Sequence, residues 1–386
     1  MDIRSAMKKV PRYRWFLWAA ALAAALFFVT QMDFLRGKPG AQVSKGFELL
    51  DSLMSHIRRD YLEERDPVQT AEGTYRGLVN SLDPLSAYLS KDLVDRYRAL
   101  TGRETGPGAV VLKRYAAFPQ VVGVTPKSPA EAAGVRLGDL LSAIEGRSTL
   151  SMSLTEVKLL LAGSDGKPVR MRLLRGNETL DLDVPRALLA AEPFAFAAAA
   201  AGRPAVLAVR RIDAPLLAGL RESVLPALKS AKTPLVLDLR GCQDGEPGEA
   251  LKLANLFVKA ADAGRFEGRD GAKEPLSCPD APALGALPLV VWTDAGTAGP
   301  AEIVAGLLQE VRKAKVVGFA TSGLAGRTAL YPLKDGSGVV LTSGVYALPS
   351  GRKLWDEGLK PDVALPVDKL DDKTYFEKSA SLLPKL

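Results

Sequence analysis

Residues 289–328 constrain the fold of this 386-residue chain more than any other stretch. The apolar run LVVW at 289–292 lies between Pro288 and Asp294 and is typical of a short buried strand. A turn follows, and Pro300 suits the first turn of a helix because it lacks an N–H group. Apolar residues then recur at helical spacing up to Val311 and precede a second strand at 316–317. The stretch therefore predicts a strand–helix–strand unit of an α/β protein.

This stretch resembles the core of the carboxyl-terminal processing, or tail-specific, proteases. The family pattern G-S-A-S-A-S-E-I matches GTAGPAEI at 296–303, and V-V-G-x-x-T-F-G-K-G matches residues 316–325. In such proteases the middle serine is the nucleophile, a lysine is its base, and a glutamine often supports them. The resemblance places these three roles on Gly299, Leu324 and Thr328, and the 25-residue separation of serine and lysine is kept.

Neither matched position carries the chemistry that a Ser-Lys dyad needs. A dyad requires a hydroxyl group and a desolvated amine within hydrogen-bond reach, and glycine and leucine supply neither. The sequence therefore predicts no catalytic residues at these positions and an inactive relative, a pseudoprotease. The alternative is an active serine-type endopeptidase with a relocated nucleophile, for which the nearest groups are the hydroxyls of Thr297, Ser322 and Ser343 and the amines of Lys313, Lys315 and Lys334.

Residues 103–187 resemble a PDZ domain, a β-rich α+β fold, through SPAEAAGVRLGDLLSAIEGR at 128–147. A PDZ domain binds a chain terminus as an added strand and holds its carboxylate on a glycine-rich loop. That loop matches Gly106, Pro107, Gly108 and Ala109, which are the predicted peptide-binding residues. Because Pro107 has no N–H group, one potential carboxylate donor is missing. A PDZ fold that serves only as a structural scaffold is the alternative.

The N-terminus predicts a membrane segment. The uncharged run Trp15–Met32 has 18 residues, close to the minimum for spanning a bilayer. Basic residues precede it, which favours a cytoplasmic N-terminus and a single-pass inner-membrane protein with its bulk in the periplasm. A cleaved signal peptide is the alternative.

The remaining boundaries follow from these segments. We expect a cytoplasmic tip and transmembrane anchor at 1–35, a helical part at 42–102, the PDZ domain at 103–187, a tail-specific-protease-like α/β core at 188–370 and a tail at 371–386. In the core, LVLDLR at 235–240 resembles the family's L-I-L-D-L-R-x-N-P-G-G, with an altered loop at 241–248. The matches at 77–89, 341–352 and 357–363 extend the resemblance over residues 43–366.

Composition narrows the function further. The net charge of +7 comes from scattered residues mixed with 44 acidic ones, which indicates no nucleic-acid site. One histidine, His56, and two cysteines cannot form a zinc-type cluster, so we expect no metal and no cofactor. Whether Cys242 and Cys278 pair in an oxidising compartment stays open. The expected partners are protein C-termini, together with either an active protease or another copy of the chain.

Overall fold

The computed structural model of the chain describes residues 40–63, 66–99, 105–114, 116–163, 167–188, 193–200, 202–231, 233–366 and 371–384. The predicted anchor at Trp15–Met32 lies outside them. Among the described residues, no helix is both long and apolar enough to cross a membrane. The chain divides into two compact units, Met1–Ala71 and Glu72–Leu386. Helix α1 (Gly40–Asp60) belongs to the first unit, and α2 (Pro67–Asn80) spans the boundary.

The part predicted to be wholly helical also contains a strand. Strand β1 (Ala87–Leu89) follows the Asp83-Pro84 turn, and helix α3 (Lys91–Ala99) comes after it. The Asp83 carboxylate accepts hydrogen bonds from the backbone N–H groups of Leu85 and Ser86, at 2.9 and 2.8 Å, and from the Thr342 hydroxyl at 2.9 Å. The turn therefore directs β1 into a sheet with a distant partner, which a helical reading of 42–102 did not anticipate.

The PDZ region is a small antiparallel sheet with two helices. Its elements are β2 (Thr105–Gly106), β3 (Ala109–Leu112), β4 (Gln120–Val124), α4 (Pro129–Ala132), β5 (Leu140–Ile144), β6 (Arg147–Ser148), α5 (Leu154–Leu161), β7 (Val169–Arg175), β8 (Glu178–Val184) and β9 (Ala187–Leu188). The strand order is β3-β4-β5-β7-β8, with β6 paired to β5, so β3 is an edge strand. Helix α5 begins with a capping box of Ser153 and Glu156. Gly134 follows helix α4 with a positive φ, +81°.

The core is a six-stranded sheet in the order β10-β11-β13-β17-β18-β21, parallel except for β10. Its strands alternate between two apolar layers, as a period of two requires. Leu237 and Val291 pack against the helices on one face, whereas Val236 and Trp292 pack against helix α10 on the other. The elements are β10 (Phe194–Ala197), β11 (Ala205–Val209), β12 (Arg211–Ile212), α6 (Ala214–Gly219), a π-helical turn (Leu220–Val224), α7 (Leu225–Ala231), β13 (Leu235–Asp238), β14 (Asp244–Gly245), α8 (Pro247–Asn255), β17 (Leu289–Thr293), α9 (Pro300–Glu310), β18 (Lys315–Gly318), β21 (Val363–Ala364) and α10 (Asp372–Ala380).

A second, antiparallel sheet completes the core. The stretch before Pro288 supplies β15 (Arg265–Glu267) and β16 (Lys273–Pro275), while β19 (Gly326–Pro332) and β20 (Gly338–Ala347) follow the central unit. The strand order is β1-β20-β15-β16, with β19 also paired to β20. Cys242 and Cys278 are buried free thiols, so the disulfide left open by the sequence is not formed.

Candidate functional site

The site lies where two parallel strands end. Strands β13 and β17 run side by side with Leu237 opposite Val291, so their carboxyl ends meet at one edge of the sheet. The loops that follow them, 239–246 and 294–299, are bound to each other. The Ala298 N–H group donates to the Cys242 carbonyl oxygen at 2.9 Å, and the Gly241 N–H group donates to the Asp294 carboxylate at 3.0 Å.

Gly299 occupies the sharp turn from β17 into α9. It is buried, and its backbone has φ +55° and ψ −116°, a conformation that side-chain-bearing residues rarely adopt. A strained strand-to-helix turn is also the device by which some hydrolases expose a nucleophilic serine. A Cβ atom at Gly299 would lie 3.6 Å from the Leu324 carbonyl oxygen and 3.8 Å from that of Gln243. The turn would therefore expose a side chain at residue 299, but glycine has none.

Glu302 joins Gly299 and Leu324. We call these two the degenerate positions because they match the family's serine and lysine but have no hydroxyl and no amine. Its fully buried carboxylate accepts hydrogen bonds from the N–H groups of Gly299, Gly323 and Leu324 at 2.9, 2.8 and 2.7 Å, and from the Thr321 hydroxyl at 2.5 Å. Burial raises the pKa of Glu302 to about 7, although all four donors act in the opposite direction. Three of the four donors belong to residues 321–324, a loop that follows α9 and the next strand, so sequence spacing alone could not pair them with Glu302.

Leu324 has become part of an apolar cluster. Its side chain is 6% exposed and packs in the cluster that contains Ala298 and Val340 of the core together with Val111 and Leu159 of the PDZ region. The position that resembles a catalytic base therefore contributes to packing between the two regions. An amine there would be desolvated by the same neighbours.

The alternative nucleophiles are all engaged elsewhere. The Thr297 hydroxyl donates to the Leu239 carbonyl oxygen at 3.0 Å, and the Ser322 hydroxyl donates to the Thr297 carbonyl oxygen at 3.1 Å. The Ser343 hydroxyl bonds to the Arg327 carbonyl oxygen at 3.3 Å. Throughout the described part of the chain, none of these three hydroxyls has a hydrogen bond to a lysine. The Lys315 amine instead pairs with Asp362.

One buried lysine near the site was not anticipated from the sequence. Lys113 is 4% exposed and, with Ser322 and Leu324, lines a small cavity of about 20 Å³. Burial lowers the pKa of Lys113 to about 8. Its ammonium group donates to the carbonyl oxygens of Ala117 and Leu150, so it is oriented into the PDZ region rather than towards Ser322.

A large cleft connects the degenerate positions with the predicted peptide-binding loop. Its volume is about 620 Å³, and both Gly299 and Leu324 line it. Exposed Thr328, which matches the supporting glutamine, lines the same cleft. The structure also brings the whole loop to this wall, namely Gly106, Pro107, Gly108 and Ala109. The first three of these are buried, and the Pro107 carbonyl oxygen accepts a 2.7 Å hydrogen bond from the Ala130 N–H group.

The charged residues of the cleft are mostly basic. Lys158, Arg210 and Arg211 line it, against one acidic residue, Asp244. Lys158 pairs with Asp244 at 3.0 Å, and Arg211 pairs with Asp213 outside the lining. Half-buried Arg210 has no side-chain hydrogen bond or ion pair within the described residues. The cleft therefore has an uncompensated positive charge. The sequence could not indicate this, because nothing in it distinguishes Arg210 from the other arginines.

Asp238, Arg240 and His56 make structural contacts outside the cleft. Asp238 and Arg240 form a structural pair, with two contacts of 2.8 Å between guanidinium and carboxylate, and the Arg240 guanidinium stacks on Trp292 and Tyr375. His56 lies on the exposed face of α1, next to Asp60. No group of His, Cys, Asp or Glu that could hold a metal ion occurs among the residues that the structure describes.

Comparison with known proteins agrees with this architecture. Residues 214–365 match Peptidase family S41, and residues 120–175 match the PDZ domain. The chain is 26% identical over 354 residues to a probable CtpA-like serine protease of Staphylococcus aureus (strain N315), covering 90% of this chain and 70% of that protein. It is 27% identical over 372 residues to the carboxy-terminal processing protease CtpA of Bacillus subtilis (strain 168), covering 93% and 79%.

The fold has a solved counterpart. The photosystem II D1 C-terminal processing protease superposes with a TM-score of 0.66 at 25% sequence identity, covering 87% of this chain and 90% of that one. The matched PDZ and S41 segments are the two regions that meet at the cleft. With its α/β core, its PDZ domain and its similarity to CtpA proteins along most of its length, the chain is a relative of the C-terminal processing serine proteases.

Proposed function

We propose that this chain is a non-hydrolytic relative of the C-terminal processing serine proteases that binds protein chain ends and regulates proteolysis in the cell envelope. The observation that carries the proposal is the environment of Leu324. Its side chain fills an apolar cluster between the core and the PDZ region, at the position where the family resemblance requires a basic amine. Together with the missing hydroxyl at Gly299, this leaves the two positions that match the family's dyad without a nucleophile and without a base.

The cleft supports a binding role. Its walls combine the PDZ loop, an apolar floor that includes Leu159 and Val340, and the uncompensated charge of Arg210. An extended polypeptide with an apolar last residue and a free carboxylate complements all three features. A protein that binds such ends without cutting them would either withhold them from an active protease or present them to it, and this is the regulatory role we assign.

The location we propose is the inner membrane, with the described residues in the periplasm. The support is the uncharged run Trp15–Met32 with basic residues before it. Retention of the protein in carbonate-washed membranes tests this assignment. A soluble form that begins after Met32 would show a cleaved signal peptide instead.

The test of the central proposal is incubation of the full-length protein with an unfolded protein that has an apolar C-terminus, followed by mass spectrometry of the products. We expect the substrate to stay intact. Ser322→Ala and Thr297→Val variants run in parallel, because cleavage that either change abolishes would establish a relocated nucleophile. Cleavage that survives both changes in protease-free preparations would also overturn the proposal.

A further inference from the structure

On the edge strand of the PDZ region, the backbone of Val111 faces outwards. On β4, the Val121 N–H group donates to the Asp139 carbonyl oxygen, and the Val121 carbonyl oxygen accepts from the Gly138 N–H group, at 2.8 Å each. Both backbone groups of Val121 therefore point towards β5. Val111 lies opposite Val121. In an antiparallel ladder such a pair exchanges no hydrogen bonds, so the polar backbone groups of Val111 point away from β4 to the open edge. An added strand would pair at this residue.

That edge is already contacted by the core. The side-chain amide of Gln243 donates to the Val111 carbonyl oxygen at 3.3 Å. A primary amide has the same donor and acceptor groups as a peptide unit, so Gln243 occupies the position of a backbone N–H group of a bound strand. A Cβ atom built on Gly241 would lie 3.9 Å from the Val110 side chain, so the same loop also covers the neighbouring residue.

The next residue of the loop contacts the opposite wall of the groove. The Asp244 carboxylate pairs with the Lys158 ammonium group on helix α5 at 3.0 Å. Strand β3 and helix α5 both line the cleft, and consecutive residues of one core loop reach both of them. The backbone carbonyl of Gln243 also faces Gly299. The loop thus spans the groove between the PDZ region and the degenerate site.

We propose that the loop 241–245 is an internal occupant of the PDZ groove, and that a polypeptide end binds by displacing Gln243 from Val111 and Asp244 from Lys158. The inference rests on the proposed peptide-binding function. One hydrogen bond between uncharged groups and one largely exposed ion pair are weak enough to exchange. The loop therefore lowers affinity, and only ligands that supply a strand and a negative charge of their own replace it.

The experiment measures binding of a fluorescein-labelled peptide with an apolar last residue and a free carboxylate to the full-length protein. Gln243→Met keeps the size of the side chain and removes the donor, and we expect affinity to rise about tenfold. The matched control is Arg114→Ala, because Arg114 pairs with Asp356 at 3.2 Å between the same two regions but does not line the large cleft. We expect no change in its affinity. Equal or weaker binding by Gln243→Met would overturn the proposal.

A second readout does not depend on any ligand. Because Gln243 donates to the Val111 carbonyl oxygen, the NMR chemical shift of the Val111 carbonyl carbon reports on this bond. We expect this shift to move upfield in Gln243→Met, which has no donor, and to stay unchanged in Arg114→Ala. An unchanged shift in Gln243→Met overturns the internal occupant even if no peptide binds to any variant. An upfield shift without peptide binding in any variant supports the occupant and instead refutes the proposed peptide-binding function.

Discussion

At the scale of single residues, the site has a well-supported backbone but no hydroxyl at Gly299 and no amine at Leu324. Gly299 forms a turn with φ +55°, and Glu302 holds that turn and the 323–324 loop together through backbone N–H groups. These contacts do not involve the side chain of residue 299 or 324. The local geometry is therefore supported without a hydroxyl or an amine at these two positions.

Restoring a serine tests how much strain the turn holds. Gly299→Ser places a side chain at positive φ, which costs roughly 1–3 kcal/mol of folding stability, although a Cβ atom would meet only ordinary contacts. We expect urea denaturation to show a loss in this range and no gain of peptidase activity. Gly296→Ser is not a useful comparison because a Cβ atom there would lie 3.1 Å from the Gly241 Cα atom. A stable, active Gly299→Ser protein would contradict this reading.

Glu302 predicts a dependence of stability on pH. Its pKa is about 7 in the folded protein against an ordinary value of 4.5. The folded state therefore binds more protons than the unfolded state between these values, and stability should fall by about 3 kcal/mol as pH rises through this range. Between pH 4.5 and 7 the denaturation midpoint of the wild type should fall more steeply with pH than that of Glu302→Gln, because the variant has no carboxyl group that titrates at this position. Equal slopes would refute the assignment.

The same variant tests the hydrogen bonds of Glu302. Each Glu302 carboxylate oxygen accepts hydrogen bonds from two donors. In a glutamine, one of these oxygens becomes an NH2 group, whose hydrogens would face two donors instead of an acceptor. We expect Glu302→Gln to lose about 3 kcal/mol of stability at pH 7. Glu310→Gln on the same helix is the control, because the Glu310 contacts to Ser350 are exposed.

At the scale of elements, the strand–helix–strand unit was predicted closely and its surroundings less so. The run at 289–292 is a strand, and Pro300 starts α9, because short apolar runs and helix starts carry local signals. The strand β1 was missed because pairing with β20, far away in sequence, decides it. Helix α8 ends at Asn255. There the Asn255 side-chain amide bonds to the carbonyl oxygens of Val258 and Asp280.

The candidate site was likewise predicted only where local sequence determines it. The degenerate positions were found from motif spacing, which is local. The roles of Gln243, Arg210 and Lys113 depend on which loops the fold brings together, and no residue pattern announces that. The same holds for Glu302, because its three donors beyond the helix N-terminus are tertiary contacts.

The PDZ loop gives a prediction at the scale of the element. Pro107 supplies no N–H group to the cleft, and its carbonyl oxygen is held by Ala130. Pro107→Ala adds one donor without removing that bond, and we expect peptides with a free C-terminus to bind up to about tenfold more tightly. Amidated peptides serve as the control and should not gain. An equal gain for both peptides would show that the loop does not recognise a carboxylate.

At the scale of the whole molecule, one apolar cluster extends from the PDZ sheet into the core. It contains Ile144 and Leu159 on the PDZ side and Ala298, Leu324 and Val340 on the core side. The two regions thus share buried surface and not only surface ion pairs such as Arg114 with Asp356. Their relative position is therefore coupled to the packing at the degenerate site.

Leu324→Lys tests this coupling. A buried ammonium group in the apolar cluster has no partner, so we expect a loss of about 3 kcal/mol in stability and a lysine pKa below its usual range. Leu324→Met, which conserves volume, should cost less than about 1.5 kcal/mol. Urea denaturation of both variants separates the stability cost of burying a charge from the cost of a poorer fit in the cluster. A Lys variant as stable as the Met variant would show that the position has access to water.

The pairing of β1 with β20 has a consequence for how the protein is made. Ala87 pairs with Val340, so the PDZ region is inserted between a strand and its partner, and residues 105–106 and 187–188 close the insertion as a short two-stranded ladder. As the chain leaves the ribosome from its N-terminus, the PDZ region is complete before the loop 241–245 exists. During that interval the edge at Val111 is uncovered. Synthesis of the core then covers this edge, and β20 can pair with β1 only afterwards, so the nascent chain passes through a state in which its groove is open to other polypeptides.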